Sequence, residues 1–421
     1  RNGNSNIIPV TGGNSIVDTE FSSILGGYEN TITQGFSDCS VIAGGESNLI
    51  NVTQHAFIGG SKLNNIGTNS SCSAIVGGRN NLINSCSFDS FVGAGCGNTV
   101  SGSFSTVVAG RGNCIVGTIP HCYNSIVGGQ NNEISSGRCS FIGGGYANQN
   151  DTSCGVIAGG RENTINNNAH GSTIGGGKEN VICHSSAVLT AGVIAGGSGN
   201  IICNSVRSTI AGGTGNCIDG AGICEKSFIG GGAVNHITGS HSAVITGGCC
   251  NLLNSASFSV VGGGLNNTGS RGECNFIGGG EGNLNEQTYG TIGGGAFNKI
   301  YHAGLGNDSS TIVGGNLNTV CGSPNSVILG SGNSLHADNS VWVVAGSSIN
   351  ISGSGESIGS SNFAAQNIHV TGSTTNDGIL KISRRETTPS PAKEGMIIAS
   401  GSAGASKLYY YNGTQWKALF L

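Results

Sequence analysis

Sixteen cysteines, nine histidines and 21 carboxylates are the residues of this 421-residue chain that could do chemistry. Their spacing limits what that chemistry is. A structural zinc site needs a CxxC pair or a tight Cys/His cluster, and neither occurs. His241, His302 and His369 have no partner at a readable spacing and read as solvated surface histidines. Glycan hydrolysis needs two carboxylates facing one groove, and the carboxylates here are scattered over loops. Triple-glycine runs such as the one from Gly143 to Gly145 lack the Lys-Ser/Thr and the strand-to-helix setting of a phosphate loop. The chain therefore reads as no enzyme, with no catalytic, cofactor-binding or metal-ligating residue assigned and no cofactor.

The cysteines do obey a rule, and it is one of position in a repeat. Cys39, Cys72, Cys139, Cys154 and Cys274 stand nine before an asparagine, and Cys183, Cys203 and Cys321 stand three after one. A small residue tolerated at equivalent sites is expected to be a buried free thiol, and Cys139 with Cys154 is the pair best placed for a bridge if one forms.

The asparagines are Asn30, Asn48, Asn64, Asn81, Asn98, Asn113, Asn132, Asn148, Asn163, Asn180, Asn200, Asn216, Asn235, Asn251, Asn267, Asn283, Asn298, Asn318 and Asn333, spaced 15 to 20 residues apart. Six before each stands Ile or Val, and three before stands Gly in all but one copy, where it is Ser61. Two after it, sixteen of the nineteen copies are aliphatic. The stretch before the glycines alternates with period two, as in Ser140-Phe141-Ile142-Gly143-Gly144, which predicts a strand with the small residue and the Ile on one face. The glycine pair predicts a turn, and polar pairs such as Tyr28-Glu29, Arg161-Glu162 and Lys178-Glu179 mark that turn as solvated. A second short strand follows. The asparagine either passes amide hydrogen bonds from unit to unit or occupies a left-handed turn. With about two aliphatics to bury, no unit stands alone, so the units must stack into a solenoid, with the variable lengths forming loops on one side.

Composition agrees. With 78 Gly, 23 aromatics and 9% charge, the chain cannot build a thick globular core. A dispersed net charge of −4 excludes the clustered Lys and Arg of a nucleic-acid stripe or an anionic-membrane surface. No apolar run is long enough for a membrane span and no secretory signal opens the sequence. Gly3-Asn4-Ser5-Asn6-Ile7-Ile8 reads as the tail of another repeat, so more chain is expected upstream.

The small-x-Ile-x-Gly-Gly-x-x-Asn-x-Ile unit resembles the head repeats of YadA-like trimeric autotransporter adhesins and the Gly-rich shafts of bacteriophage and large DNA virus fibres. The resemblance implies an all-β fold, a parallel β-roll or β-solenoid of about nineteen coils over residues 1–350, packed as a homotrimer with Gly- and Ser-lined faces turned to one another. Without a membrane-anchoring barrel in this sequence it favours a virion fibre on the virion surface or in the extracellular space. That fibre would attach to a host surface glycan or protein receptor and to other virion proteins at its fixed end, with no nucleic acid and no membrane span. A cell-surface adhesin and a polysaccharide-degrading tailspike-type enzyme are the alternatives. An ice-binding solenoid would need a regular Thr face that the mostly Ser small position does not supply.

After Asn333 the pattern decays. Trp342-Val343-Val344 reads as a last degenerate copy, 351–376 as a Ser-, Gly- and Thr-rich neck or linker, and 377–421 as a β-hairpin cap or tip module. There Met396-Ile397-Ile398 and Lys407 to Tyr411 read as strands, and Asn412-Gly413 signals a type I′ hairpin. This segment is similar to the small hairpin modules that close many fibre proteins. Tyr409, Tyr410, Tyr411 and Trp416 are its candidate tip contacts, with alternation sending about half of them inward.

Overall fold

The structure, a computed structural model, describes residues 6–8, 12–33, 37–117, 122–166, 168–185, 188–189, 191–302, 309–322 and 326–336, and beyond these 342–344, 350–352, 384–385, 397–400, 407–411 and 414–418. The chain forms two compact units, Arg1–Ser360 and Ser361–Leu421. Among the described residues there is no helix, so none is long and apolar enough to cross a membrane.

The first unit is a parallel β-solenoid of the expected kind. Each coil contributes one short strand before its glycine turn, such as Ala74–Ile75, and one after its asparagine, such as Leu82–Ile83. Strands of the first type pair only with the same strand of the coils before and after, in register and parallel, from Ser23–Ile24 to Trp342–Val344. Strands of the second type do the same from Ser15–Ile16 to Asn350–Ser352. We call these the first and second ladders. Between them a single residue of each turn bridges to its equivalent, as Lys62 does to Arg79 and Arg79 to Cys96. The third side carries the variable segments, with two paired stretches among the described residues, Ala169–His170 with Val188–Leu189 and, after a register shift, Ser205 and Val206 with Cys224 and Glu225.

Period two fixes which side chains go inside. Ile75 and Ile83 are fully buried, and so is their equivalent in nearly every coil, giving two in-register stacks of Ile and Val. Complete burial of such a side chain contributes roughly 1.5–3 kcal/mol. Three copies replace the second aliphatic by Asn150, Gly269 or Asn285. In two of them Asn150 and Asn285 are buried, and each is met five residues later by a glycine, Gly155 or Gly290, whose absent side chain leaves room for the amide. The last copy corrects the expected spacing. Its turn is one residue shorter, so Ile328 rather than Val327 pairs with Ile312 and enters the core.

The small residue eight before the asparagine also faces inward, and this overturns the interchain role expected for a Ser-lined face. Ser40 is fully buried, takes a hydrogen bond from the Ala56 amide at 3.2 Å, and donates to the Thr53 carbonyl at 3.1 Å. Its own amide donates to Ser22 Oγ at 3.3 Å. One serine thus joins three coils of a single chain.

The glycine three before the asparagine has φ near +90° in most coils, for example +92° at Gly197. A Cβ there would collide with the Gly213 carbonyl oxygen of the next coil and lie 2.6 Å from Asn200 Nδ2. Its neighbour Gly196 has no positive φ and open space where a Cβ would go. Only the first of these two glycines is required by geometry.

In the second unit Arg384–Arg385 pairs parallel with Ile397–Ser400, which pairs antiparallel with Lys407–Tyr411, which pairs antiparallel with Trp416–Ala418. Tyr411 is opposite Trp416, leaving four residues between them where a type I′ turn has two. Asn412 and Gly413 themselves, and all but the first two residues of the expected neck 351–376, lie outside the described residues.

The glycine pair supplies a matched test. Gly197→Ala is expected to destabilise the protein by about 2–4 kcal/mol, combining a positive φ with a backbone collision. Gly196→Ala should be neutral or stabilising by up to about 1 kcal/mol, because it only narrows the unfolded ensemble. Urea midpoints of the two variants against the parent measure the difference, and equal midpoints would refute the corner geometry.

Candidate functional site

The residues singled out by the repeat come together at one corner of the coil, and their work there is structural. Asn148 shows the arrangement. Its Nδ2 donates to Asn132 Oδ1 in the previous coil at 3.0 Å, to the Gly144 carbonyl of its own turn at 3.0 Å, and to the Gly160 carbonyl of the next coil at 3.0 Å. Its Oδ1 accepts from the Asn163 amide N–H and from Asn163 Nδ2, both at 3.0 Å. The bond from each backbone N–H to the Oδ1 of the preceding asparagine recurs from Asn30 to Asn333, the Nδ2-to-Oδ1 bond joins it in most coils, and every one of these side chains is buried.

Of the two roles open to the asparagine, the ladder is the one the structure adopts. The left-handed residue is instead the one before it, such as Glu29, Asn80, Val234 or Leu317, with φ between 52° and 57°. That conformation is costly for a β-branched residue such as Val234. It persists because it turns the amide backward: Val234 N–H donates to the Thr214 carbonyl of the previous coil at 2.9 Å, while Ala233 N–H donates forward to Gly248 O at 2.9 Å.

The sequence pattern missed one rung. Asn14 Oδ1 accepts from the Asn30 amide at 2.9 Å and Asn14 Nδ2 donates to the Gly27 carbonyl, so the ladder begins one copy earlier. Its glycines, Gly12 and Gly13, directly precede the asparagine, which hid the copy.

On the solvent side of the turn, charged residues form exposed pairs. Lys62 reaches Glu46 of the previous coil at 2.7 Å, Arg161 holds Glu162 at 2.9 Å, and Lys178 holds Glu179 at 3.0 Å. The Arg161 guanidinium lies 5.6 Å from the centre of the Tyr146 ring. The hydrogen bond from Lys178 holds the Glu179 carboxyl below the usual range, and Glu29 pushes the Tyr28 hydroxyl up. These confirm the solvated turn; exposed pairs of this kind add little stability.

The cysteines depart from expectation in two ways. Cys39, Cys72, Cys86, Cys139 and Cys154 are exposed free thiols, and of the described free cysteines Cys122 alone is buried. The disulfide joins Cys183 and Cys203, direct register partners in the second ladder with Cα atoms 4.6 Å apart, within bridging range. Cys139 and Cys154 instead sit at a left-handed corner, each with φ 56°, in the loop side where no strand pairing aligns them. Cys249 and Cys250 are adjacent with sulfurs 3.0 Å apart, and their mutual hydrogen bond raises the Cys249 thiol.

No group of three or more His, Cys, Asp or Glu able to hold a metal occurs among the described residues. His241 and His302 stand on the loop side, and His369 lies outside the described residues. The backbone places Tyr409, Tyr410 and Tyr411 in one strand and Trp416 opposite Tyr411; the direction of their side chains lies outside what is described. No family model matches this chain, and no curated protein matches it.

Two outcomes follow from this geometry. Asn148→Ala is expected to cost about 2–4 kcal/mol, leaving the Asn163 amide N–H and the Gly144 carbonyl without their partner and the Gly160 carbonyl with the Tyr146 N–H alone. Asn148→Asp should be worse at neutral pH, since its carboxylate faces the Gly144, Gly160 and Asn132 oxygens. That environment raises the folded-state pKa of the new carboxyl, so stability is regained as pH falls through it, whereas the alanine variant shows no such recovery. Thermal unfolding across pH separates the two. Native-state maleimide labelling mapped by mass spectrometry should modify Cys39, Cys72, Cys86, Cys139 and Cys154 rapidly and Cys122 only after unfolding. Protection of the first five would place them in the interior.

Proposed function

We propose that this chain is the shaft of a homotrimeric surface fibre of a virion, a structural and adhesive protein that carries an attachment module toward a host surface. One observation supports the reading most: a run of nearly identical coils from Asn14 to Asn333 joined by an unbroken amide ladder, buried from Asn30 onward. Such a unit is a spacer. At about 4.8 Å per coil, nineteen steps extend on the order of 90 Å. The small C-terminal β unit is the natural place for contact with a host glycan or protein, strengthened by several copies acting together.

Light scattering with electron microscopy of the purified protein tests this. The expected result is a rod with the mass of three chains that binds host cells or their surface glycans. A compact single-chain particle would remove the shaft. Loss of viscosity when the protein is added to host polysaccharide would replace the adhesive reading with an enzymatic one.

A further inference from the structure

The outward side of the first ladder is unlike the rest of the surface. Its two outward columns, running from Ser23 and Leu25 to Val327 and Leu329, hold no charged residue. The outward columns of the second ladder carry Glu133, Asp151, Asp219, Glu286 and Lys299. The chain therefore has charges available for an outward strand face and keeps them off this one.

The face is also shaped. Phe57, Phe91, Phe141, Phe228 and Phe276 point outward from it, each between 36% and 42% exposed. Every one is followed two residues later by glycine, and a Cβ on that glycine would lie 3.3 to 3.5 Å from the ring's Cε1. The glycine lets the ring lie along its own strand. Val76 and Val313, about half exposed, continue the apolar surface where no ring lies.

We infer that this uncharged face is where copies of the chain pack against one another along the shaft, an inference that rests on the trimeric reading above. Extent is the first argument. At about 4.8 Å per coil and roughly 10 Å across, the face offers on the order of 900 Å². That matches the roughly 800 Å² each partner gives to a stable interface. Period is the second. The face repeats once per coil, interrupted by rings at irregular coil intervals, and a second copy carries the same period with the same interruptions. The serines cannot serve instead, since Ser40 and its equivalents are spent inside the coil.

The test places charges on the face and reads mass. Val156→Lys, Val193→Lys and Val244→Lys together should raise the dissociation constant roughly a hundredfold or more through like-charge repulsion, giving single chains with unchanged far-UV circular dichroism. Thr164→Lys, Val181→Lys and Leu252→Lys, on the outward side of the second ladder, should leave the parent mass unchanged. A multi-chain parent whose first-face triple variant stays multi-chain overturns the inference and leaves the fibre standing. A parent that is a single chain at every concentration overturns both. Should the triple variant unfold, Val193→Lys alone decides, since an unaltered dissociation constant for that folded variant also refutes the assignment.

Discussion

The fold depends on how closely successive coils approach at the glycine corner. There the carbonyl of one coil points at the α-carbon of the coil before it, as the Gly213 oxygen does at Gly197, so no side chain fits. The same approach leaves one carbonyl per turn, such as that of Gly144, without a backbone donor, while the next coil's corner carbonyl, such as that of Gly160, takes one turn N–H, from Tyr146. An unpaired buried carbonyl would be expensive, and the asparagine amide supplies the donor to the first and a second donor to the other while its oxygen caps the next coil's N–H. Because each amide in the column both donates and accepts, the bonds polarise one another along the row. Glycine content, turn shape and the asparagine are therefore one constraint seen three times. Ser61 is the exception that shows its limits: it occupies the glycine site with φ 71°, and its carbonyl still receives the Asn48 amide at 3.0 Å.

The other two corners solve the same problem with hydroxyls. Serines eight before the asparagine take the next coil's amide, and on the third side Ser37 and Ser87 take the amides of Thr53 and Gly102 at 3.0 Å. The interior thus alternates between stacked aliphatics on the flat sides and stacked polar groups at the corners. A thin core of this kind would be weak in an isolated unit. It succeeds because each coil supplies the partner for the next, the nearest-neighbour logic of repeat proteins.

The strands, the aliphatic stacks and the asparagine column were legible in the sequence because each is tied to one residue type at a fixed offset. The left-handed residue before the asparagine was not. Glu29, Val234, Phe297 and Leu317 share no chemistry, and what they share is the direction of an amide, which composition does not record. Offsets also failed where a turn lost a residue, hiding Asn14 and exchanging Val327 for Ile328. The exposure of the cysteines was misread for a related reason. Occupying equivalent positions shows that a site is shared by all coils, and only the backbone path shows whether it faces in.

The outward face of the first ladder was equally present in the sequence, yet it carries a message only once the strand is known to be inward at one offset and outward at the next. Corner geometry then explains why variation is confined elsewhere. An inserted residue in either ladder would exchange inside for outside along the whole strand, and one in the glycine turn would break the amide column. The third side has neither constraint, which is why coils of 15 and 20 residues share one register. Sequence change can accumulate in those loops without cost to the solenoid, while the uncharged face, fixed to a ladder, stays as regular as the core behind it.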